Sequence, residues 1–198
     1  EVGTATTDAD GAFMLDVGTA IGDLRLCASG GEYIEEATGT SVEIGPRMLC
    51  APLIGFEEVE SREGVVITPW THLVSMRAHA LVSFFGVFPY PAAVAQAREE
   101  ITALLACGQG PIDLLDAMPV DPTVAQDTQG DLSPASLSGI LLAGLSHQAE
   151  MISEARGLTP GVSVTAIALA EAYGEDLIAD GLFDGVGSTG PLVIEGYA

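Results

Sequence analysis

The sequence predicts an α+β protein, in which an N-terminal antiparallel β-sandwich-like part precedes an all-α helical domain of four to five helices. Residues 1–67 alternate apolar and polar side chains between turns rich in glycine and aspartate, which is typical of half-buried strands. At Thr68-Pro69 a capping residue is followed by proline, and helical spacing of apolar residues then continues to about residue 180. We therefore predict a β-sandwich-like module at 1–67, a helical domain at 68–180 and a glycine-rich tail at 181–198.

The β part is divided by recognisable turns. Asp8-Ala9-Asp10-Gly11 is the first turn, and the alternating run after it places Phe13, Leu15 and Val17 on one side. The same reasoning predicts further strands at 24–28, 41–44, 48–54 and 64–67, and a short strand-like run at 191–194 in the tail.

The helices are predicted from their start and stop signals. Thr68-Pro69 begins the first helix, which ends near Phe85, and Ser133-Pro134 begins a second helix of this kind, which ends at Arg156 with Gly157 as its stop. Proline and glycine punctuation also predicts helices at 91–107, 111–118 and 163–179.

The charge balance excludes several kinds of partner. The 198 residues include 28 acidic and 6 basic side chains, for a net charge of −22, and every basic residue is arginine. Phosphate backbones and anionic lipid surfaces would repel such a chain, so we expect neither nucleic-acid nor membrane-surface binding. Without lysine the chain cannot form a lysine isopeptide crosslink, and without asparagine it has no N-glycosylation sequon.

The apolar content predicts a folded protein without a membrane span. Hydrophobic residues make up 48% of the chain, which is ample for a core, yet no apolar run approaches the roughly 20 residues that cross a bilayer. The first residues lack the basic start and apolar middle of a signal peptide. If the protein is exported, its signal or lipid anchor lies upstream of Glu1.

The three cysteines allow two interpretations. None belongs to a Cys-x-x-Cys pair, which argues against a zinc knuckle or a thioredoxin-like site. Cys27 and Cys50 both fall in the β part and would form a disulfide in an exported protein, leaving Cys107 over. The alternative is three small buried apolar side chains.

The acidic residues suggest cation sites. Asp176, Asp180 and Asp184 recur at four-residue spacing near a helix end, where like charges repel each other and oppose the helix dipole. A bound Ca²⁺ would relieve both effects; the alternative is a solvated acidic turn. Asp8 and Asp10 form a second, weaker arrangement of this kind, for which the alternative is an ordinary hairpin turn.

No arrangement of residues predicts catalysis. His72 and His79 are about 10.5 Å apart along a helix, too far to hold one metal without other ligands. Ser146 lacks the second glycine of a nucleophile elbow and falls within a predicted helix. The glycine run 185–190 follows a helix, whereas a dinucleotide-binding loop follows a strand. We therefore expect a protein that is not an enzyme.

Several short segments carry a family resemblance. Residues 6–15 (TTDADGAFML), 24–26 (LRL) and 30–33 (GGEY) resemble the later strands of a carboxypeptidase-regulatory-like, or transthyretin-like, β-sandwich module. Residues 66–73 (VITPWTHL) resemble the start of the helical region of certain large bacterial surface proteins that carry this module, and residues 180–185 (DGLFDG) fit the same region. The resemblance implies an exported surface protein or lipoprotein, and it implies no peptidase activity.

The chain departs from this family pattern in its extent, because the module usually begins with one or two further strands. Either the chain is a processed fragment, or its sandwich is incomplete. An incomplete sandwich exposes an unpaired strand edge, to which another chain can add a strand. Leu192, Val193 and Ile194 form the predicted donor strand. We therefore expect a structural or adhesion-type subunit at the cell surface that assembles into a homo-oligomer or a filament.

The alternatives are a monomer closed by its own tail or by a helix, and a monomeric surface module that binds carbohydrate or peptide. A binding module would need aromatic residues at an exposed site. Trp70, Phe88 and Tyr90 are the only such cluster, and we expect them to pack at the junction of the two parts.

Overall fold

The structure is a computed structural model that describes residues 2–35, 38–57, 61–106, 115–120, 133–159 and 164–191. In these ranges the chain forms six strands, arranged as three two-stranded antiparallel sheets, and four helices. The α+β class is therefore confirmed.

The sheets are built mostly from neighbouring strands. Strand β1 (Gly22–Ser29) pairs with β4 (Met48–Phe56), and β2 (Glu32–Glu35) pairs with β3 (Thr40–Glu43). A short ribbon follows the last helix and pairs β5 (Val186–Gly187) with β6 (Gly190–Pro191). These strands confirm the predictions for 24–28, 41–44 and 48–54.

Two of the predicted strands are wrong. Residues 12–17 and 64–67 pair with no strand in the part of the chain that the structure describes. The alternation itself persists, because Phe13, Leu15 and Val17 are half-buried while Met14 is 92% exposed. Side-chain patterning therefore identified the inward face but not a hydrogen-bonded partner.

The turn before this segment agrees with the sequence. The backbone N–H of Gly11 donates to the carbonyl of Asp8 at 3.1 Å, and the Asp8 carboxylate accepts from the N–H groups of Asp10 and Ala12. An aspartate that bonds to the backbone two residues onward is a common way to fix a turn.

The first and third helices begin where the capping signals predict. The helices are α1 (Pro69–Ser83), α2 (Tyr90–Leu105), α3 (Pro134–Ala155) and α4 (Ala166–Asp180). The side chains of Thr68, Ser133 and Thr165 accept N-terminal backbone N–H groups of α1, α3 and α4. Of the predicted helix at 111–118, residues 115–118 are not helical, and 111–114 lie outside the described residues.

The main core lies between α1 and its helical neighbours, with α1 packed against both α2 and α4. Its largest buried side chains stabilise the fold by about 1.5–3 kcal/mol each through removal of apolar surface from water. They include Trp70, Leu73, Leu81, Ile101, Leu169 and Leu177. Gly174 on α4 lets this helix approach α1 closely, since a Cβ at Gly174 would lie 2.2 Å from the sulfur of Met76 on α1.

A buried arginine joins three helices. Arg77 on α1 donates through Nε to the Glu100 carboxylate on α2 at 2.6 Å, and through a guanidinium nitrogen to the Leu177 carbonyl on α4 at 3.0 Å. A cation at a helix C-terminus is favourable because it meets the negative end of the helix dipole. Gly181 completes the arrangement, because its φ of 86° is left-handed and a Cβ there would meet the guanidinium at 2.7 Å.

A buried carboxylate joins the β part to the helices. Glu35 on β2 is 1% exposed, accepts the backbone N–H of Ala166 at 3.2 Å and accepts the hydroxyl of Tyr33. Ala166 is the first residue of α4, where a negative charge is favourable. Arg47, which precedes β4, pairs with Glu171 on α4 at 3.0 Å. The two parts are thus in direct contact, while the predicted division at residue 67 stays a prediction.

Within the described ranges, none of the helices combines the length and the apolar character that a bilayer crossing requires.

Candidate functional site

A disulfide joins the two strands of the β1–β4 sheet near its centre. Cys27 and Cys50 lie opposite each other and form a disulfide, with an S–S distance of 2.17 Å and a Cα–Cα distance of 4.1 Å. The backbone N–H of Cys50 donates to His72 rather than to β1. Cys27 and Cys50 are therefore a non-hydrogen-bonded pair, in agreement with their short Cα–Cα distance.

This pair fixes the direction of the backbone groups of β1 from Leu24 to Ser29, where the register is regular. Hydrogen-bonded and non-hydrogen-bonded pairs alternate along an antiparallel ladder. Since Arg25 lies opposite Pro52, two residues before the disulfide, that pair is also non-hydrogen-bonded. The N–H and C=O groups of Arg25 and Cys27 consequently point away from β4, and those of Cys50 point away from β1.

The outer edge of β4 is blocked to a further strand. Its Cys50 N–H donates to the Nδ1 of His72 at 3.1 Å, and Pro52 has no N–H to offer. The Ile54 carbonyl accepts the guanidinium of Arg62 at 2.9 Å. Proline and covering side chains are established ways to protect a strand edge.

His72 remains neutral in this position. Burial, with a smaller contribution from the nearby positive charge of Arg25, lowers the pKa of His72 from 6.5 to about 4. Because Nδ1 accepts the Cys50 N–H, the proton of the neutral ring lies on Nε2. Protonation of Nδ1 would remove this acceptor and release the edge amide of β4.

No strand among the described residues pairs with the outer edge of β1. Arg25 and Cys27 are both exposed, and no described residue hydrogen bonds to the outward backbone groups of these two residues. The edge is eight residues long, from Gly22 to Ser29, with a register irregularity between Gly22 and Leu24. A strand edge of this kind is a ready template for another extended segment.

A groove runs along the blocked edge of β4. Its volume is about 520 Å³, and it lies between β4, the segment 62–66 and α2. Apolar side chains such as Leu53, Val66 and Val94 line it together with two arginines and two carboxylates, Arg62, Arg98, Glu63 and Asp116. Arg98 forms two hydrogen bonds to the carboxylate of Asp116, at 2.7 and 3.0 Å.

The aromatic residues are distributed differently from the expectation. Trp70 is buried in the helical core and Tyr90 is half-buried against the same core, whereas Phe88 is 70% exposed. Phe84 and Phe85 are also exposed near the end of α1, with the guanidinium of Arg77 at 5.2 Å from the Phe85 ring centroid.

The three aspartates predicted to bind Ca²⁺ accept backbone N–H groups. Asp176 is 3% exposed and accepts from Gly185 and Val186, whereas Asp180 and Asp184 accept from residues two positions onward. The described residues contain no group of three histidine, cysteine, aspartate or glutamate side chains placed to hold a metal. The Ca²⁺ site stays a prediction, which calorimetric titration after EDTA treatment would reject if neither heat nor a thermal shift appeared.

Other predicted positions are not brought to this site. Leu192, Val193, Ile194 and Cys107 lie outside the described residues. His79 is exposed on α1, and His147 lies on α3 at 3.0 Å from the Glu150 carboxylate. Sequence reasoning missed the role of His72 because only the folded chain brings it to Cys50, 22 residues away.

The chain was compared with family models, with curated proteins and with solved structures, and none of the three comparisons found a match.

Proposed function

We propose that the chain is a non-catalytic structural or adhesion-type surface subunit outside the cytoplasm, which assembles by adding a strand at the outer edge of β1. The observation that carries the proposal is the contrast between the two edges of the β1–β4 sheet. On β4 the Cys50 N–H and the Ile54 carbonyl are bonded to His72 and Arg62, and Pro52 has no N–H. On β1 Arg25 and Cys27 direct their backbone groups outward without a partner among the described residues. An edge of this kind favours β-strand addition.

The disulfide supports the proposed location. Disulfides persist in oxidising compartments such as the cell exterior and are rare in the cytosol. The bond between Cys27 and Cys50 also holds β1 against β4. A surface or extracellular location with export by an upstream signal therefore remains our proposal.

We also propose a finer description of the fold. The β part is an incomplete sandwich of the carboxypeptidase-regulatory-like type, and the four helices form an all-α domain. The small, separate two-stranded sheets are compatible with a sandwich that is completed by added strands. The polar ties through Arg77 and Glu35 would keep such a subunit rigid while its β part accepts a partner.

The test is to remove one outward N–H from β1. Arg25→Pro removes this N–H and should leave the hydrogen bonds between β1 and β4 intact, because the Arg25 N–H points away from β4. Proline is tolerated in an edge strand at a position whose N–H faces solvent. Arg25→Ala is the matched control, because it loses the same guanidinium and keeps the N–H. We expect light scattering and electron microscopy to find assembled wild-type and Arg25→Ala protein and monomeric Arg25→Pro protein. Wild-type protein that stays monomeric at high concentration would contradict the proposal.

A second function is favoured by the groove beside β4, which suits a monomeric surface module that binds a carbohydrate or a peptide. Its mixed lining of apolar side chains, two arginines and two carboxylates suits an extended peptide that carries both apolar and polar side chains. Ala95→Trp would fill the groove from its exposed side. Saturable binding of a labelled peptide of alternating apolar and polar residues to monomeric protein, lost in Ala95→Trp, would favour this function over assembly.

A further inference from the structure

The open edge of β1 accepts only some registers of an added strand. Arg25 and Cys27 point outward, as does Ser29, whereas Leu24, Leu26 and Ala28 bond toward β4. A new antiparallel neighbour must therefore exchange hydrogen bonds with the odd-numbered residues. The choice of partner then depends on which sequence presents compatible side chains at these positions.

The sequence of β1 is compatible with itself in one such register. Pairing Arg25 with Arg25 of a second copy would place two guanidinium groups directly opposite each other, which is unfavourable. A shift to the next allowed register pairs Arg25 with Cys27 of the second copy, and Cys27 with Arg25 of the second copy. No like charges are then opposed along residues 23–29.

The same register joins the apolar faces of the two strands. Leu26 lies opposite Leu26 of the second copy, and Leu24 lies opposite Ala28 of the second copy. These three residues are buried or half-buried on the inward side of β1, where apolar cross-strand pairs contribute most. The hydrophobic face of the two-stranded sheet would thus continue unbroken through four strands.

We infer that the partner at this edge is β1 of a second copy, related by a two-fold axis, in the order β4-β1-β1-β4. The inference rests on the proposed function, because it names the partner for the same edge. An isologous contact of this kind closes, so the product is a dimer rather than an open filament. The dimer would leave the groove beside β4 at the outer side of each half.

The local charge allows this contact in spite of the net charge of −22. Residues 22–29 contain one aspartate and one arginine, Asp23 and Arg25, so the edge itself is close to neutral. Repulsion arises from the rest of the two chains, and salt screens it over about 8 Å at physiological ionic strength. Added salt should therefore strengthen the dimer.

The first experiment separates this inference from the proposed function. Sedimentation equilibrium of the full chain compares wild type, Arg25→Pro and Val193→Pro, the last of which blocks strand donation by the tail. We expect dimeric wild type and Val193→Pro, and monomeric Arg25→Pro. Larger assemblies that Val193→Pro abolishes would support tail donation and overturn the β1 partner alone. A monomeric wild type would overturn both.

The second experiment tests the register. Ser29 faces Asp23 of the second copy twice in the dimer, so Ser29→Arg should tighten dimerisation and Ser29→Asp should weaken it, each by about two- to tenfold. Ala103→Arg and Ala103→Asp make the same charge changes at an exposed position on α2. Equal effects at the two positions would mean that only net charge matters, and would overturn the register.

Discussion

The two edges of the β1–β4 sheet have opposite properties although the strands are fastened to each other by a disulfide. On β4 the outward N–H of Cys50 is bonded to His72 on α1. The outward carbonyl of Ile54 is bonded to Arg62, which lies between β4 and α1. On β1 the corresponding groups of Arg25 and Cys27 have no described partner. The fold therefore protects one edge and presents the other.

The two edges differ in the residues that stand opposite each other in the ladder. Proline at position 52 and arginine at position 25 are opposite each other in the ladder, yet one ends strand pairing and the other permits it. A sheet with one protected edge and one unprotected edge offers a single site for an added strand. Such an asymmetric sheet can assemble to a limited size instead of aggregating without limit.

Removal of the disulfide should have the largest effect on this comparison. Cys27 and Cys50 are 23 residues apart, so their bond restricts the unfolded chain and contributes about 3 kcal/mol. We expect Cys27→Ser/Cys50→Ser to lower the free energy of unfolding by about this amount in urea denaturation. Cys107→Ser is the control for the loss of a cysteine, and equal destabilisation by both changes would contradict the role of the bond.

Acid should have the second-largest effect, because protonation of His72 releases the outer edge of β4. The pKa of His72 is about 4 in the folded chain and 6.5 when unfolded, so only the unfolded state gains a proton between these values. Stability is unaffected by this group above pH 6.5 and falls by about 1.4 kcal/mol per pH unit as the pH drops toward 4.

The comparison of wild type with His72→Asn isolates this effect from the many carboxylates, since asparagine offers an acceptor that does not titrate. We expect the difference in unfolding free energy between the two proteins to change by about 3 kcal/mol between pH 6.5 and 4. A difference in unfolding free energy that is constant across this range would show that folding does not lower the pKa of His72.

Loss of the acceptor at neutral pH should have a smaller effect. His72→Ala leaves the Cys50 N–H buried without its partner, which costs about 1–3 kcal/mol. His79→Ala, on the same helix but exposed, should change stability by less than about 0.5 kcal/mol. Chemical denaturation of both variants measures the difference.

The smallest change in stability should come from Pro52→Ala, which places an N–H on the outer edge of β4. We expect the free energy of unfolding to change by less than about 1 kcal/mol, because the position is at a strand edge. The assembly should nevertheless grow beyond the wild-type size as a second edge becomes available. An unchanged size distribution in light scattering would show that His72 and Arg62 suffice to block β4.

Much of the fold could be predicted from the sequence because its signals are local. Capping residues followed by proline, at Thr68 and Ser133, marked two helix starts, and alternation identified β1 and β4. Alternation failed for residues 12–17, because a pattern of side chains does not specify a hydrogen-bonded partner.

The site itself depends on contacts between distant residues. The pattern at Leu24–Ala28 predicted a strand but could not tell which of its sides would be left open. That side became evident only from the hydrogen bond between Cys50 and His72, which fixes the phase of the ladder. Likewise, Glu35 and Arg77 showed no sequence signal, because their partners are Ala166 and Leu177 in a remote helix.

Amide hydrogen exchange at different protein concentrations tests the central claim most directly. In dilute solution, the N–H groups of Arg25 and Cys27 should exchange rapidly while that of Cys50 is protected by His72. At high concentration, we expect Arg25 and Cys27 to become protected and Cys50 to remain unchanged. If the β1 amides exchange at the same rate at every concentration, or are already protected in the dilute monomer, the open edge of β1 is not where the protein assembles.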